Sequence, residues 1–172
     1  MTGQQEAIRH TFVVGLRNAH ALEEEALSLL DRQIERLAHY ADVEVRLRSH
    51  RGETERQIQR LETILDGLGE SASAFKDATM KLGGNVAAMM HALAPDEILK
   101  NCFANAAFEA FEVASYKALI VMAEQGGFKT ALPLLEETLR EEQAMVTFLD
   151  ETLPLVVQRY LALRSSGETA SH

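Results

Sequence analysis

The sequence predicts an all-α protein, a single antiparallel four-helix bundle with a long connection between its second and third helices. Three observations predict it. Only three Pro and ten Gly occur in 172 residues, and several long stretches contain neither, a composition that favours helices. Apolar residues recur at alternating spacings of three and four in four separate segments, the stripe a helix turns toward a bundle core. No segment carries a strand signal.

The length fits one domain spanning residues 1–172, with the bundle over residues 4–164 and a frayed tail over 165–172. Helix 1 is expected over residues 4–39, with a break near Tyr40-Ala41-Asp42 where Asp42 can cap the next helix. Helix 2 is expected over 43–68 and stops in the region of Gly67 and Gly69. Between Ser71 and Leu93 the pattern is interrupted by Gly83-Gly84, which predicts a crossover carrying one or two short helices and long enough to span a bundle. Met89, Met90 and His91 read as packing within it. Helix 3 opens at Pro95-Asp96-Glu97, with proline and acids in a first turn that favours them, and Gly126-Gly127 ends it. Helix 4 starts near Lys129 or Thr130 with Pro133 in its first turn, reaches residue 164, and has a predicted kink at Pro154.

The four seams are not uniformly apolar. Helix 1 reads Val13, Leu16, His20, Glu23, Leu27, Leu30, Ile34, Leu37. Helix 2 reads Val43, Leu47, His50, Thr54, Gln57, Leu61, Ile64, Leu68. Helix 3 gives Ile98, Cys102, Asn105, Glu109, Glu112, Tyr116, Leu119, Ala123, and helix 4 gives Ala131, Leu134, Thr138, Glu141, Met145, Phe148, Thr152, Leu155. Each seam runs from apolar to polar and back. A buried ionised carboxylate is costly unless it is paired, protonated or bound to a metal.

The interruptions fall at comparable heights. Glu23 precedes His39 by sixteen residues and Glu53 follows Asp42 by eleven, about 24 and 17 Å from that turn at ~1.5 Å per residue. Glu112 precedes Gly126 by fourteen and Glu141 follows Lys129 by twelve, about 21 and 18 Å from theirs. Glu53 and Gln57 on helix 2 echo Glu137 and Glu141 on helix 4, each pair four residues apart and so on one face. Carboxylates projecting inward from four helices are how bundles build dinuclear iron or manganese sites, and oxygen ligands suit hard divalent ions.

Other function classes are excluded or disfavoured. The net charge of −9 with a pI near 5.2 argues against a nucleic-acid partner, because phosphate binding needs a basic face. Cys102 is the single cysteine, so there is no internal disulfide or thiolate cluster, and its apolar helical neighbours mark a buried thiol. No apolar run reaches the ~18–20 residues of a membrane span. The first residues carry neither the basic start nor the apolar stretch of a signal peptide, so a cytoplasmic protein is expected. No nucleophile–base pair or Gly-rich phosphate loop is visible. Any chemistry would be redox at bound metals.

The residues of helices 3 and 4 resemble the ferritin-like YciE/YciF family of bacterial stress-associated proteins. The matching stretches run from Glu109 through Phe111-Glu112 to Tyr116, from Ala123 through Gly126-Gly127 to Phe128, and from Leu134 through Glu137-Thr138 to Glu141-Glu142. Weaker matches are Leu22-Glu23 on helix 1, and His50, Glu53-Thr54 and Gln57 on helix 2. The resemblance implies a ferritin-like bundle, commonly a homodimer, with possible iron binding and no established reaction. Ala110 stands where family members often have His, and Arg56 and Arg140 follow Glu53 and Glu137 by three where true di-iron bundles have Glu-x-x-His. Fewer nitrogen ligands would weaken a redox site.

Two readings follow. In the first, Glu23, Glu53, Glu112 and Glu141 bind two iron or manganese ions, with Glu109, Glu137 and His50 as alternates, and the protein handles metal or oxidants. Gln57 and Asn105 would orient ligands, Tyr116 would place its hydroxyl in the polar layer, and a lone His on a core face, as at His20 and His50, is more often hydrogen-bonded core than ligand. In the second, the protein is a metal-free dimeric scaffold whose carboxyls are partly protonated and tied to His20, His50 and Gln57. A homodimer is expected in both, as the resemblance implies, and Phe12, Val14, Phe75 and Phe103 exceed what four seams need.

Overall fold

A computed structural model describes residues 3–70 and 96–171. Four helices account for nearly all of them: α1 (Gly3–Ile34), α2 (Ala41–Gly67), α3 (Glu97–Gly126) and α4 (Leu132–Ser166). No strand occurs among the described residues. The expected crossover helices, Phe75, Met89, Met90 and His91 lie outside them.

Two apolar clusters fix the topology. One joins Phe12, Val13 and Leu16 of α1 to Leu61 and Leu65 of α2, Tyr116 and Leu119 of α3 and Leu135 of α4. The other joins Leu30 and Ile34 to Val43, Leu47, Ile98, Cys102, Met145, Leu149 and Val156. The start of α1 therefore lies with the end of α2, the end of α3 and the start of α4. Helices α1 and α4 run one way, and α2 and α3 the other. The chain leaves α2 at one end of the bundle and enters α3 at the other, as the long second connection requires. Of the neighbouring pairs, α3 and α4 pack most closely and α2 and α4 least.

Several local expectations change. Helix α1 stops at Ile34 because two successive turns, closed by Arg36 N–H on Gln33 O (3.0 Å) and Tyr40 N–H on Leu37 O (3.2 Å), fold Leu37 and Tyr40 over the end of the core. Tyr40, not Asp42, is the N-cap of α2, and Asp42 lies in the first turn, where its charge favours the helix N-terminus. Helix α4 begins at Leu132 rather than near Lys129 or Thr130, with Pro133 in its first turn as expected and Pro154 inside it. At the end of α3, Gly127 adopts φ 73° and Phe128 N–H reaches Ala123 O at 2.9 Å, a closure that a Cβ would strain. A Cβ at Gly126 would clash with the Phe128 ring.

Phe128 stacks on Phe12 with centroids 4.8 Å apart. Phe12 is consequently fully buried and drops out of the set of spare apolar residues, while Val14 and Phe103 remain exposed. The C-terminal tail is not frayed either. Tyr40 donates its hydroxyl to Ala170 O (2.8 Å) and Ile98 donates its N–H to Ser171 O (3.0 Å). The second bond satisfies one of the four N–H groups that the start of α3 leaves unpaired.

Candidate metal centre

Between the two apolar clusters lies a polar layer built from all four helices. Glu23 of α1, His50 of α2, Glu109 and Glu112 of α3 and Glu142 of α4 are all buried. Each sits on its helix's inward stripe, so the packing that buries the leucines above and below buries these groups as well.

The α4 stripe is displaced by one residue from the expected one. Leu135, Thr138, Glu142, Met145, Leu149 and Val156 face inward, while Leu155 is 62% exposed. Glu142 therefore takes the inward place expected of Glu141. The sequence is ambiguous here because α4 carries doublets seven residues apart: Leu134-Leu135, Glu141-Glu142, Phe148-Leu149 and Leu155-Val156. Either member of each doublet gives a stripe with three–four spacing. Sequence reasoning missed Glu142 for that reason, and the glutamate doublet was its only signal.

His50 organises one side of the layer. Its Nδ1–H donates to Glu53 Oε2 at 2.8 Å, and Glu53 also accepts from Arg46 Nη1 at 2.9 Å. The opposite nitrogen, Nε2, lies 3.3 Å from Glu109 Oε1 and 3.7 Å from Glu142 Oε2. Burial opposes charge on the imidazole, but the hydrogen bonds to Glu109 and Glu53 outweigh it and hold its pKa up at about 9. Glu53 is the counterpart, pushed down to about 2 by His50 and then Arg46.

The remaining carboxyls have no such support. Glu23 accepts a hydrogen bond from the buried Tyr116 hydroxyl, yet burial still raises its pKa to about 8. Glu142 accepts from Gln57 Nε2; burial, the hydrogen bond to Glu109 and the charge of Glu23 push it up to about 12. Glu112 is held well above the carboxylate range by burial and by Glu23, Glu142 and Glu109. Both oxygens of Glu112, with Oε2 of Glu109 and of Glu142, are buried and without a hydrogen-bond partner. No lysine or arginine is buried among the described residues.

This donor set suits hard divalent cations: four carboxyls and one imidazole, with several oxygens unsatisfied. His50, Glu109 and Glu142 each offer a ligand atom, all within 4.8 Å of one another. With Nδ1–H committed to Glu53, Nε2 is the nitrogen that would face an ion, the arrangement of a metal-binding histidine oriented by a carboxylate.

Of the seven residues picked from the sequence, the layer gathers Glu23, His50, Glu109 and Glu112. Glu53 sits beside it, touching through His50. Glu137 and Glu141 lie outside, on Arg60, whose guanidinium donates to Glu141 Oε2 (2.6 Å) and Oε1 (3.0 Å) and to Glu137 Oε1 (2.6 Å). Asn105 does not face the centre group but makes a reciprocal amide pair with Gln33 at 2.8 and 2.9 Å. His20 is buried, with Nε2 3.4 Å from Glu62.

Comparison with known proteins places this architecture. The model of the family DUF892, a domain of unknown function, matches residues 7–162. The chain belongs to the DUF892 family. It is 35% identical to Protein YciF of Escherichia coli K12 over 106 residues, 56% of this chain. The chain spans 60% of the length of that relative. Among solved structures, a Xanthomonas campestris pv. campestris protein matches with a TM-score of 0.77 and 27% identity, over 92% of this chain and 99% of that one. The Escherichia coli stress protein YciF matches with a TM-score of 0.69 and 24% identity, over 85% and 94%, and shows the shared fold. This DUF892 chain is thus YciF-like in sequence and an all-α bundle in structure, as the stretches on α3 and α4 imply.

Proposed function

We propose that this DUF892 protein binds a pair of divalent cations, iron or manganese, in its polar layer and works in metal or oxidant handling. Glu23, His50, Glu109, Glu112 and Glu142 would hold the ions, and Glu53 would orient His50. The observation that carries the reading is Glu112, fully buried with neither oxygen hydrogen-bonded, among three other buried carboxyls. Removing such groups from water costs several kcal/mol each unless something compensates, and two divalent charges are the compensation this donor chemistry fits. Bound iron or manganese would supply one-electron chemistry, while the protein's own groups would position ligands and exclude water. The description of YciF as a stress protein accords with that role. No described helix is long and apolar enough to cross a membrane, which accords with a cytoplasmic setting.

Metal analysis of protein purified without chelators is the direct test, with about two ions per chain expected. Less than a tenth of an ion per chain, unchanged after incubation with Mn(II), would favour the metal-free scaffold. That second reading draws on the raised pKa values of Glu23, Glu112 and Glu142, which favour the neutral forms of those three groups.

The chain is further proposed to pair with a second copy through the outer face of α3. Phe103, Phe111 and Val121 are 55–61% exposed, with Ala107, Ala114 and Ala118 exposed between them. Large apolar side chains on the outer face of a helix whose inner face is already packed suit an interface. Antiparallel pairing about a twofold axis near residue 112 sets Phe111 near Ala114, Phe103 near Val121 and Lys100 near Glu124, so apolar meets apolar and charge meets opposite charge. A dimer by light scattering that becomes monomeric in Phe111→Glu is the expected result. A wild-type monomer at micromolar concentration would refute it.

A further inference from the structure

The two carboxylates that the layer leaves outside, Glu137 and Glu141, form the outer steps of a path that ends at Glu142. Glu137 is on the surface, its side chain 49% exposed. Glu141, one turn along α4, is 18% exposed, and Glu142 is completely buried. The path is continuous. Gln57 Nε2 donates to Glu141 Oε2 at 3.0 Å and, with the same nitrogen, to Glu142. It follows the boundary between α2 and α4, the least closely packed pair in the bundle.

A cation already occupies the middle of this path. Arg60, only 10% exposed, grips Glu141 through two nitrogens, Glu137 through one, and touches Thr138 Oγ1 at 3.2 Å. Inside it, two fully buried side chains present oxygens without a hydrogen-bond partner, Gln57 Oε1 and Glu142 Oε2, the second 3.7 Å from His50 Nε2. Gln57 uses its N–H₂ to satisfy carboxylates. Turning the amide over would offer its oxygen in the same place, a hard ligand between Glu141 and Glu142.

We propose that Arg60 is a resident cationic plug on the α2–α4 side of the bundle, and that divalent ions reach the centre by displacing it from Glu141 and passing Gln57 to Glu142. This rests on the metal-binding reading above and adds the route and its control. The arriving ion takes over the Glu141 carboxylate while the guanidinium retains Glu137, so no carboxylate on the path is left unpaired. Arg60 sets how fast the centre fills, and Glu141 is where an ion waits.

The test is stopped-flow loading of apo-protein with Co(II), followed by its visible absorption, alongside equilibrium titration with the same ion. Arg60→Ala is expected to load about tenfold faster, because removing the plug leaves a negative path that concentrates cations. Arg60→Lys, which keeps the charge but loses the two-nitrogen grip, should fall between it and wild type. Glu141→Gln should load about tenfold more slowly. All three should reach the wild-type stoichiometry and dissociation constant within about twofold, since none touches the final site. Arg60→Gln, with its thermal melt, guards against a folding defect in the alanine variant. Equal or slower loading in both Arg60→Ala and Arg60→Gln would overturn the proposal. So would a large loss of equilibrium affinity in Glu141→Gln, which would make Glu141 a ligand of the centre. Absence of Co(II) binding in wild type would overturn the metal-binding reading itself, whereas normal binding with unchanged rates would overturn the plug alone.

Discussion

The carboxylates at the centre of the layer and those at its rim are chemically identical and sit within one or two helical turns of each other, yet their surroundings are opposite. Glu53 and Glu141 each receive an arginine, Arg46 or Arg60, at 2.6–2.9 Å, and Glu53 is pushed down to about 2. Glu23, Glu112 and Glu142 receive no arginine, and burial first, then the charge of neighbouring carboxyls, raises their pKa values. Rim carboxylates hold the bundle together with partners the chain itself supplies. Central ones are kept at a cost to the fold, which is the usual mark of a group retained for what it binds.

The largest consequence concerns pH. Glu23 titrates near 4.5 unfolded and about 8 folded, so its contribution to stability is complete below pH 4.5 and is lost as pH rises through 8. Glu112 and Glu142, also raised, act in the same direction. His50, raised from 6.5 to about 9, contributes below 6.5 and loses that contribution as pH rises through 9. Glu53 opposes them only in acid, because its contribution is present above 4.5 and lost as pH falls through 2. Metal-free protein should therefore lose stability steadily from pH 5 to 9 in denaturant titrations. Saturating Mn(II) should reverse that slope, since carboxylates must shed protons to bind it. A flat metal-free profile would show that centre and rim differ less than their surroundings imply.

Exchanging single residues sharpens the contrast. Glu112→Leu replaces a buried, unpartnered carboxyl with an apolar side chain of similar size, and should stabilise the metal-free protein by about 1–4 kcal/mol. Glu53→Gln should destabilise it, by about 1–3 kcal/mol, because His50 and Arg46 both lose a charged partner. Glu137→Gln, on the surface, should stay within about 0.5 kcal/mol of wild type. Urea melts at pH 7.5 with chelator present would order the three. Destabilisation by Glu112→Leu equal to that of Glu53→Gln would erase the distinction.

The layer itself was largely legible in the sequence. Polar residues interrupting apolar seams at matching heights located the layer, and the spacing of Glu23, His50, Glu109 and Glu112 put four of its five members on inward stripes. What distinguishes centre from rim was not legible. Seam spacing cannot show that Arg46 and Arg60 reach across to Glu53 and Glu141, since both arginines lie off the stripes and their partners are set by side-chain length and helix rotation. The doublets on α4 left its rotation open by one residue, enough to exchange Glu141 for Glu142. Phe12 and the C-terminal tail were misjudged for a related reason: each is fixed by residues far away in the chain, Phe128 in one case and Tyr40 and Ile98 in the other.

The central claim is tested most directly by calorimetric titration of chelator-treated protein with Mn(II) at pH 7.5, paired with a thermal melt at saturation. Wild type should bind close to two ions per chain. At a hundredfold excess over Kd it should gain about 2.7 kcal/mol per ion and so about 5.4 kcal/mol for two, roughly 10–20 °C in Tm for a chain of this size. Glu112→Leu should bind at most one ion and gain less than half as much, while Glu137→Gln behaves as wild type. Binding of two ions by Glu112→Leu with an undiminished rise in Tm would place the metal outside the polar layer and contradict the account.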